Sequence, residues 1–140
     1  SEINWKPDLI IASYHGIPQK YFDKGDPYQC YCQKTTRLMN EKFQEISIET
    51  TFQSRFGPDK WLTPYTDKTL ENLPIEGKKN ILMICPGFSS DCVETLEEIN
   101  IQAREIFINS GGERFEFIPC LNDNPDHIYL LESLVKKYLI

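Results

Sequence analysis

Four short apolar runs separated by helical patterns constrain this chain more than any other feature. They are Asp8–Ser13 (DLIIAS), Ile48–Phe52 (IETTF), Asn80–Cys85 (NILMIC) and Phe115–Ile118 (FEFI). The first and third are almost continuous in apolar residues. Strands covered on both faces read this way, and a parallel sheet is their usual setting. Between and after them, helical patterns are expected over Asp26–Phe43, Thr66–Leu73, Asp91–Asn109 and Pro125–Leu139. Asp26-Pro27 and Asn124-Pro125 supply cap-and-proline starts, and Gly111-Gly112 supplies a stop. The order β-α-β-α-β-α-β-α predicts a three-layer α/β/α fold, with helices on both faces of a four-stranded parallel sheet and right-handed crossovers.

At 140 residues the chain is the size of one domain, expected to span 1–140. Hydrophobic residues at 40% and charged residues at 26% are ordinary globular values. Lys and Arg number 15 against 21 Asp and Glu, a formal charge of −6. That balance argues against nucleic acid as a partner and against a polybasic membrane anchor. No window has the roughly 20 apolar residues that span a bilayer, and no secretory signal pattern opens the chain. The start at Ser1 suggests a fragment or a processed product. Five cysteines, an odd number, read as reduced cytosolic thiols. Cys30-Tyr31-Cys32 is a CxC without the paired ligands that a zinc site wants.

In open α/β sheets, ligands sit outside the carboxyl ends of strands. Three loops begin there: His15–Pro18, Ser54–Thr66 and Pro86–Asp91. His15 follows the first strand, ahead of Gly16 and Pro18, which force a turn. It is either a turn histidine bonding a carbonyl or a functional one. His127, the only other histidine, has no acidic or thiol companion at ligand spacing and reads as structural. On a helical wheel Asp91, Glu94 and Glu98 form one acidic stripe about 60° wide, off the apolar side. Asp91 with Glu94 resembles a capping box. The stripe otherwise reads as a carboxylate relay for a hard cation or for protons. Trp61, Phe88 and Tyr65 could wall a flat apolar ligand or simply plug the loops. Arg55, after Gln53 and Ser54, could meet a ligand's acidic groups or its own acidic neighbours. No glycine-rich phosphate motif is present.

These same residues resemble the C-terminal half of the bacterial-type ferrochelatase family. The resemblance is carried by Ser13-Tyr14-His15-Gly16-Ile17-Pro18, by Thr51–Gly57 (TFQSRFG), by Trp61–Asp67 (WLTPYTD), by Pro86–Glu98 (PGFSSDCVETLEE) and by Leu121-Asn122. It implies a chelatase-like, Rossmann-like half, and insertion of ferrous iron into protoporphyrin IX with release of two protons. The porphyrin would lie in a cleft closed by the enzyme's N-terminal half, so the isolated chain is expected to be inactive. The family's catalytic and metal-handling pair falls on His15 and Glu94, and its proton or metal path on Asp91 and Glu98. Its porphyrin pocket falls on Tyr14, Ser54, Arg55, Trp61 and Phe88. Iron is substrate; no permanently bound cofactor and no [2Fe–2S] cluster are expected. Location is expected to be cytoplasmic, with peripheral association at the inner membrane left open. Two other readings stand beside this one. One is a chelatase for another tetrapyrrole, coproporphyrin or sirohydrochlorin. The other is a non-catalytic metal-binding module.

Overall fold

A computed structural model describes residues 3–139. Ser1, Glu2 and Ile140, which the expected domain includes, lie outside the described residues. The strands are β1 (Leu9–His15), β2 (Ile48–Gln53), β3 (Asn80–Ile84) and β4 (Arg114–Phe117), in the spatial order β2-β1-β3-β4. Every pairing is parallel. The helices are α1 (Gln19–Asp23), α2 (Tyr28–Lys42), α3 (Thr66–Asn72), α4 (Val93–Leu96), α5 (Arg104–Asn109) and α6 (Pro125–Lys136). The expected α/β/α architecture with a four-stranded parallel sheet is therefore what the chain forms.

The alternation of side chains along β1 divides the core in two. Leu9 and Ile11 join Leu70, Ile81, Met83, Ile99 and Phe107 on one face. Ile10, Ala12 and Tyr14 join Cys32, Ile48, Phe52 and Leu62 on the other. Because both faces are covered, β1 is buried along almost its whole length, which is why its sequence shows no polar alternation.

Three expectations about the elements are corrected. First, β1 continues two residues beyond Ser13, so His15 ends the strand rather than following it. Second, the five-residue α1 was not anticipated; it buries no residue and carries no apolar period. Third, Asp91–Asn109 is not one helix. It runs from α4 through a π-helical segment, Glu98–Ala103, into α5. The π register inserts an extra residue into a turn and is frequent at functional sites. α2 begins at Tyr28, with Asp26 accepting from the Tyr28 amide. At α6, Asn124 caps as expected, accepting from the Asp126 amide.

Candidate active site at the carboxyl edge of the sheet

The carboxyl ends of β1 and β2 lie side by side, with His15 in register with Gln53. The chain must turn sharply after His15, and Gly16 makes the turn possible. Its amide donates to the Gln53 carbonyl at 2.8 Å. A Cβ there would stand 2.9 Å from that same carbonyl and 3.2 Å from the Trp61 ring. The turn is also sewn to the Trp61 loop: Gln19 donates to the Lys60 carbonyl and Leu62 to the Ile17 carbonyl.

His15 is half-buried. Its Nδ1 lies 2.7 Å from the Gly16 carbonyl. A carbonyl only accepts, so Nδ1 carries a hydrogen and the neutral ring presents its lone pair at Nε2. The His15 carbonyl is held from above by the Tyr28 hydroxyl at 2.8 Å. The Phe88 ring lies beside the imidazole, with centroids 6.5 Å apart. Alternation puts His15 on the face of β1 shared by Leu9 and Ile11, the face toward the segment bearing the carboxylates.

Those carboxylates fall into two kinds. Asp91 precedes α4, whose N-cap is Cys92, paired with Thr95. The expected Asp91–Glu94 capping box is thus replaced, because the Asp91 carboxylate is drawn elsewhere. It accepts from Asn122 Nδ2 at 2.8 Å, from the Thr95 hydroxyl at 3.0 Å and from the Cys120 amide at 3.2 Å. Burial pushes the Asp91 carboxyl up, but these donors, Asn122 foremost, outweigh it and hold it below the ordinary range. Glu98 is also engaged. It accepts from the Ser54 amide at 2.6 Å, from the Ser54 hydroxyl, and from Gln53 Nε2 at 3.2 Å. Ser54 adopts a left-handed backbone, with φ of 64°, to aim that amide. Glu94 differs from both. The neighbouring Cys92 thiol, its own backbone amide and the field of His15 hold its carboxyl below the ordinary range.

The expected pocket residues separate. Phe88 stays half-buried beside His15. Ser54 is committed to Glu98. Arg55 forms a two-pronged pair with Asp67, both contacts at 2.6 Å, and lies over the Tyr65 ring at 4.1 Å. Burial pushes Asp67 up, but the guanidinium more than offsets it and holds the carboxyl below its usual range. Tyr14 is corrected: it turns away from the edge, buried under α2, with its hydroxyl 3.1 Å from the Thr36 hydroxyl. Trp61 is 5% exposed, packed at a tilt against Phe56 and donating to the Phe56 carbonyl at 2.9 Å, so it closes its own loop within this chain. His127 is structural, with Nδ1 2.8 Å from the Asn122 carbonyl. The buried Gln53 side chain meets Ser13, Glu94 and Glu98 and ties the site together.

Behind Glu98 lies a cavity of about 230 Å³, bounded by Ser54, Arg55, Asp67, Glu98 and Gln102. Sites that enclose a ligand usually hold about 300–1,000 Å³, so this space does not enclose a large flat molecule. Among the described residues, no group of three or more His, Cys, Asp or Glu converges to hold a metal ion.

Fold and site define an α/β protein that gathers a histidine and carboxylates on an open sheet edge. The ferrochelatase family model matches residues 2–139. The chain is 55% identical to ferrochelatases of Rhizobium meliloti and Agrobacterium fabrum, over 98% of its length. It is 52% identical to the ferrochelatase of Shewanella denitrificans. It spans only 40–43% of the length of these three relatives. Among solved structures, a Marinobacter aquaeolei protein described as a CbiX protein of cobalamin (vitamin B12) biosynthesis superposes with a TM-score of 0.60, covering 95% of this chain and 98% of that one. At 13% identity that likeness shows the fold alone. The chain belongs to the ferrochelatase family.

Proposed function

We propose that this chain supplies one wall of a site that inserts ferrous iron into protoporphyrin IX. The observation that carries the reading is the family match together with the fixed tautomer of His15. The reaction exchanges two pyrrole N–H protons for one Fe²⁺, so it needs a base near the macrocycle and an anionic group that can receive a dication. With Nδ1–H committed to the Gly16 carbonyl, Nε2 of His15 is the free lone pair and takes a pyrrole proton. The imidazolium so formed lies in the field of the Glu94 carboxylate, which stabilises it. Glu94 is the carboxylate left free to receive iron or to pass a proton on. Phe88 offers an apolar face to the ring.

The rest of the enzyme, its N-terminal half, is proposed to close the cleft. The small cavity at Glu98 supports this. So does α6, which buries only His127 and leaves Ile128, Tyr129, Leu130, Leu131, Leu134 and Val135 at least 44% exposed. Unpartnered apolar faces of that kind mark interaction surfaces. No described helix is long and apolar enough to cross a membrane. The same reading places the enzyme in the cytoplasm, with peripheral membrane contact, and assigns it no resident cofactor.

The test is anaerobic metallation of protoporphyrin IX with ferrous iron, followed by visible absorbance. The full-length protein is expected to turn over and this chain alone is not. His15→Ala in the full-length protein is expected to lose about 10²–10⁴-fold in rate, the usual contribution of a positioned base. Turnover by the isolated chain, or an unimpaired His15→Ala enzyme, would overturn the reading.

A further inference from the structure

Gln53 makes more connections at this edge than any residue assigned a chemical role. It is 3% exposed and ends β2. Its main chain holds the turn that carries His15: the two residues are in register, and the Gln53 carbonyl accepts from the Gly16 amide at 2.8 Å. Its side chain reaches the other way. Oε1 accepts from the Ser13 hydroxyl at 2.8 Å and faces the Cys85 thiol at 3.6 Å. Nε2 donates to the Glu94 carbonyl at 2.7 Å and to Glu98 Oε2 at 3.2 Å.

Both donations land where α-helical bonding gives way to the π-helical segment, between Glu94 and Glu98. A helix broken at that point lacks the rigid register that would otherwise fix the two side chains relative to each other. A carboxamide suits the task. It offers two donors and an acceptor on one planar group, and every one of its polar atoms is used here. It carries no charge to compete with the carboxylate it holds.

From this geometry we infer that Gln53 is a positioning residue whose buried carboxamide references Glu94 and Glu98 to the strand end that carries His15. It touches neither porphyrin nor iron; it sets where the open donor pair stands. The inference rests on the metallation reading for its kinetic consequence only. Groups that orient metal-handling side chains typically cost about 10–100-fold when removed. Porphyrin contacts are untouched by the change, so the loss should fall on kcat and on the KM for ferrous iron.

The experiment uses full-length protein with Gln53→Met, which keeps length and removes both polar functions. Gln53→Glu serves as the second variant. It keeps the acceptor for Ser13, lacks the donor, and faces Glu98 with a like charge. Glu94, Glu98, His15 and Cys85 are the titratable residues meeting Gln53 from the neighbouring elements, so the Glu variant is compared at one pH throughout. Ferrous KM, porphyrin KM and kcat are measured beside the melting temperature, and amide hydrogen exchange is followed over residues 93–103. Expected are a 10–100-fold fall in kcat, a raised ferrous KM, a porphyrin KM within twofold of wild type, and faster exchange over 93–103. A residue that merely props the fold would lower the melting temperature and leave the folded enzyme's kcat and ferrous KM as they were. Both variants keeping kcat and ferrous KM within twofold of wild type would overturn the inference. Unchanged exchange over 93–103 would overturn it too. If wild-type full-length protein fails to metallate porphyrin, the function proposed above falls, and the exchange comparison still decides whether Gln53 pins the break.

Discussion

Replacing Asn122 by Ala should destabilise the full-length protein by about 2–4 kcal/mol at pH 7. Asn122 pairs twice with Asp91: its Oδ1 accepts from the Asp91 amide at 2.8 Å, and its Nδ2 donates to the Asp91 carboxylate at 2.8 Å. The same Nδ2 meets the Cys120 carbonyl at 3.0 Å. A hydrogen bond to a charged group contributes about 1.5–3 kcal/mol, and the half-exposed setting of Asp91 favours the lower end. Leaving the Asp91 amide unpaired costs about 1 kcal/mol more. Asn122 also sits at φ 50°, and a left-handed alanine there adds about 1 kcal/mol. The pH dependence has a definite sign. Asp91 has its folded-state carboxyl pKa depressed, against the upward push of burial, by Asn122 and its neighbours. That contribution is complete above the unfolded carboxylate value of about 3.9 and is lost as pH falls through the lower folded value. The variant loses much of the depression, so the gap to wild type should be widest near neutrality and narrow on acidification. The backbone share of the cost should remain. Paired urea titrations from pH 7 into the acid limb measure this. A gap under about 0.5 kcal/mol at pH 7, or one that widens in acid, would refute the reasoning.

Three other changes read different parts of the fold. Gly112→Ala drives a Cβ to 2.2 Å from the Phe107 ring, which is fully buried, so overpacking should cost about 1–3 kcal/mol and lower the melting temperature. Gly16→Ala meets the Gln53 carbonyl at 2.9 Å, and since backbone rather than a flexible tip must move, His15 is displaced. Metallation should fall at least about tenfold while the melting temperature shifts little, because misplacement near 1 Å already costs up to about 10²-fold; an unchanged rate would show that the turn absorbs the methyl. The thiols should react in order of exposure. Cys30 is exposed, whereas burial pushes Cys85 far up, and burial with the nearby Asp91 pushes Cys120 up to about 12. A chromogenic disulfide should therefore label Cys30 rapidly and Cys85 only on unfolding.

The strands were legible because burial on both faces writes continuous apolar runs, and β1 and β3 are such runs. What escaped has a common cause. Apolar periodicity reads 3.6 residues per turn, and a single π-helical turn hides inside it without changing the residue types. Ile99, Ala103 and Phe107 still face the core, so one helix over Asp91–Asn109 fits the pattern as well as the broken path does. Strand alternation, applied past Ser13, would have separated Tyr14 from His15, since Tyr14 shares its face with Ile10 and Ala12. Gln53 escaped for a different reason. Its partners lie 41 and 45 residues away in the chain, and no local spacing announces a buried amide that joins a strand end to a helix break.

The acidic stripe, read as uniform in sequence, divides in three dimensions by hydrogen-bond supply. Asp91 and Glu98 each accept from three donors. A carboxylate so satisfied would have to surrender those bonds to coordinate iron. It is a better brace than a reagent: Asp91 anchors the entry to α4, and Glu98 anchors the π-helical segment to the end of β2. Glu94, between them, has its carboxyl held below the ordinary range chiefly by the nearby Cys92 thiol and its own backbone amide. The two braced carboxylates therefore fix the stretch of chain on which the free one stands, and the free one is placed in the field of His15. On the function proposed above, Nε2 of His15 and the carboxylate of Glu94 are the two groups that exchange partners during the reaction.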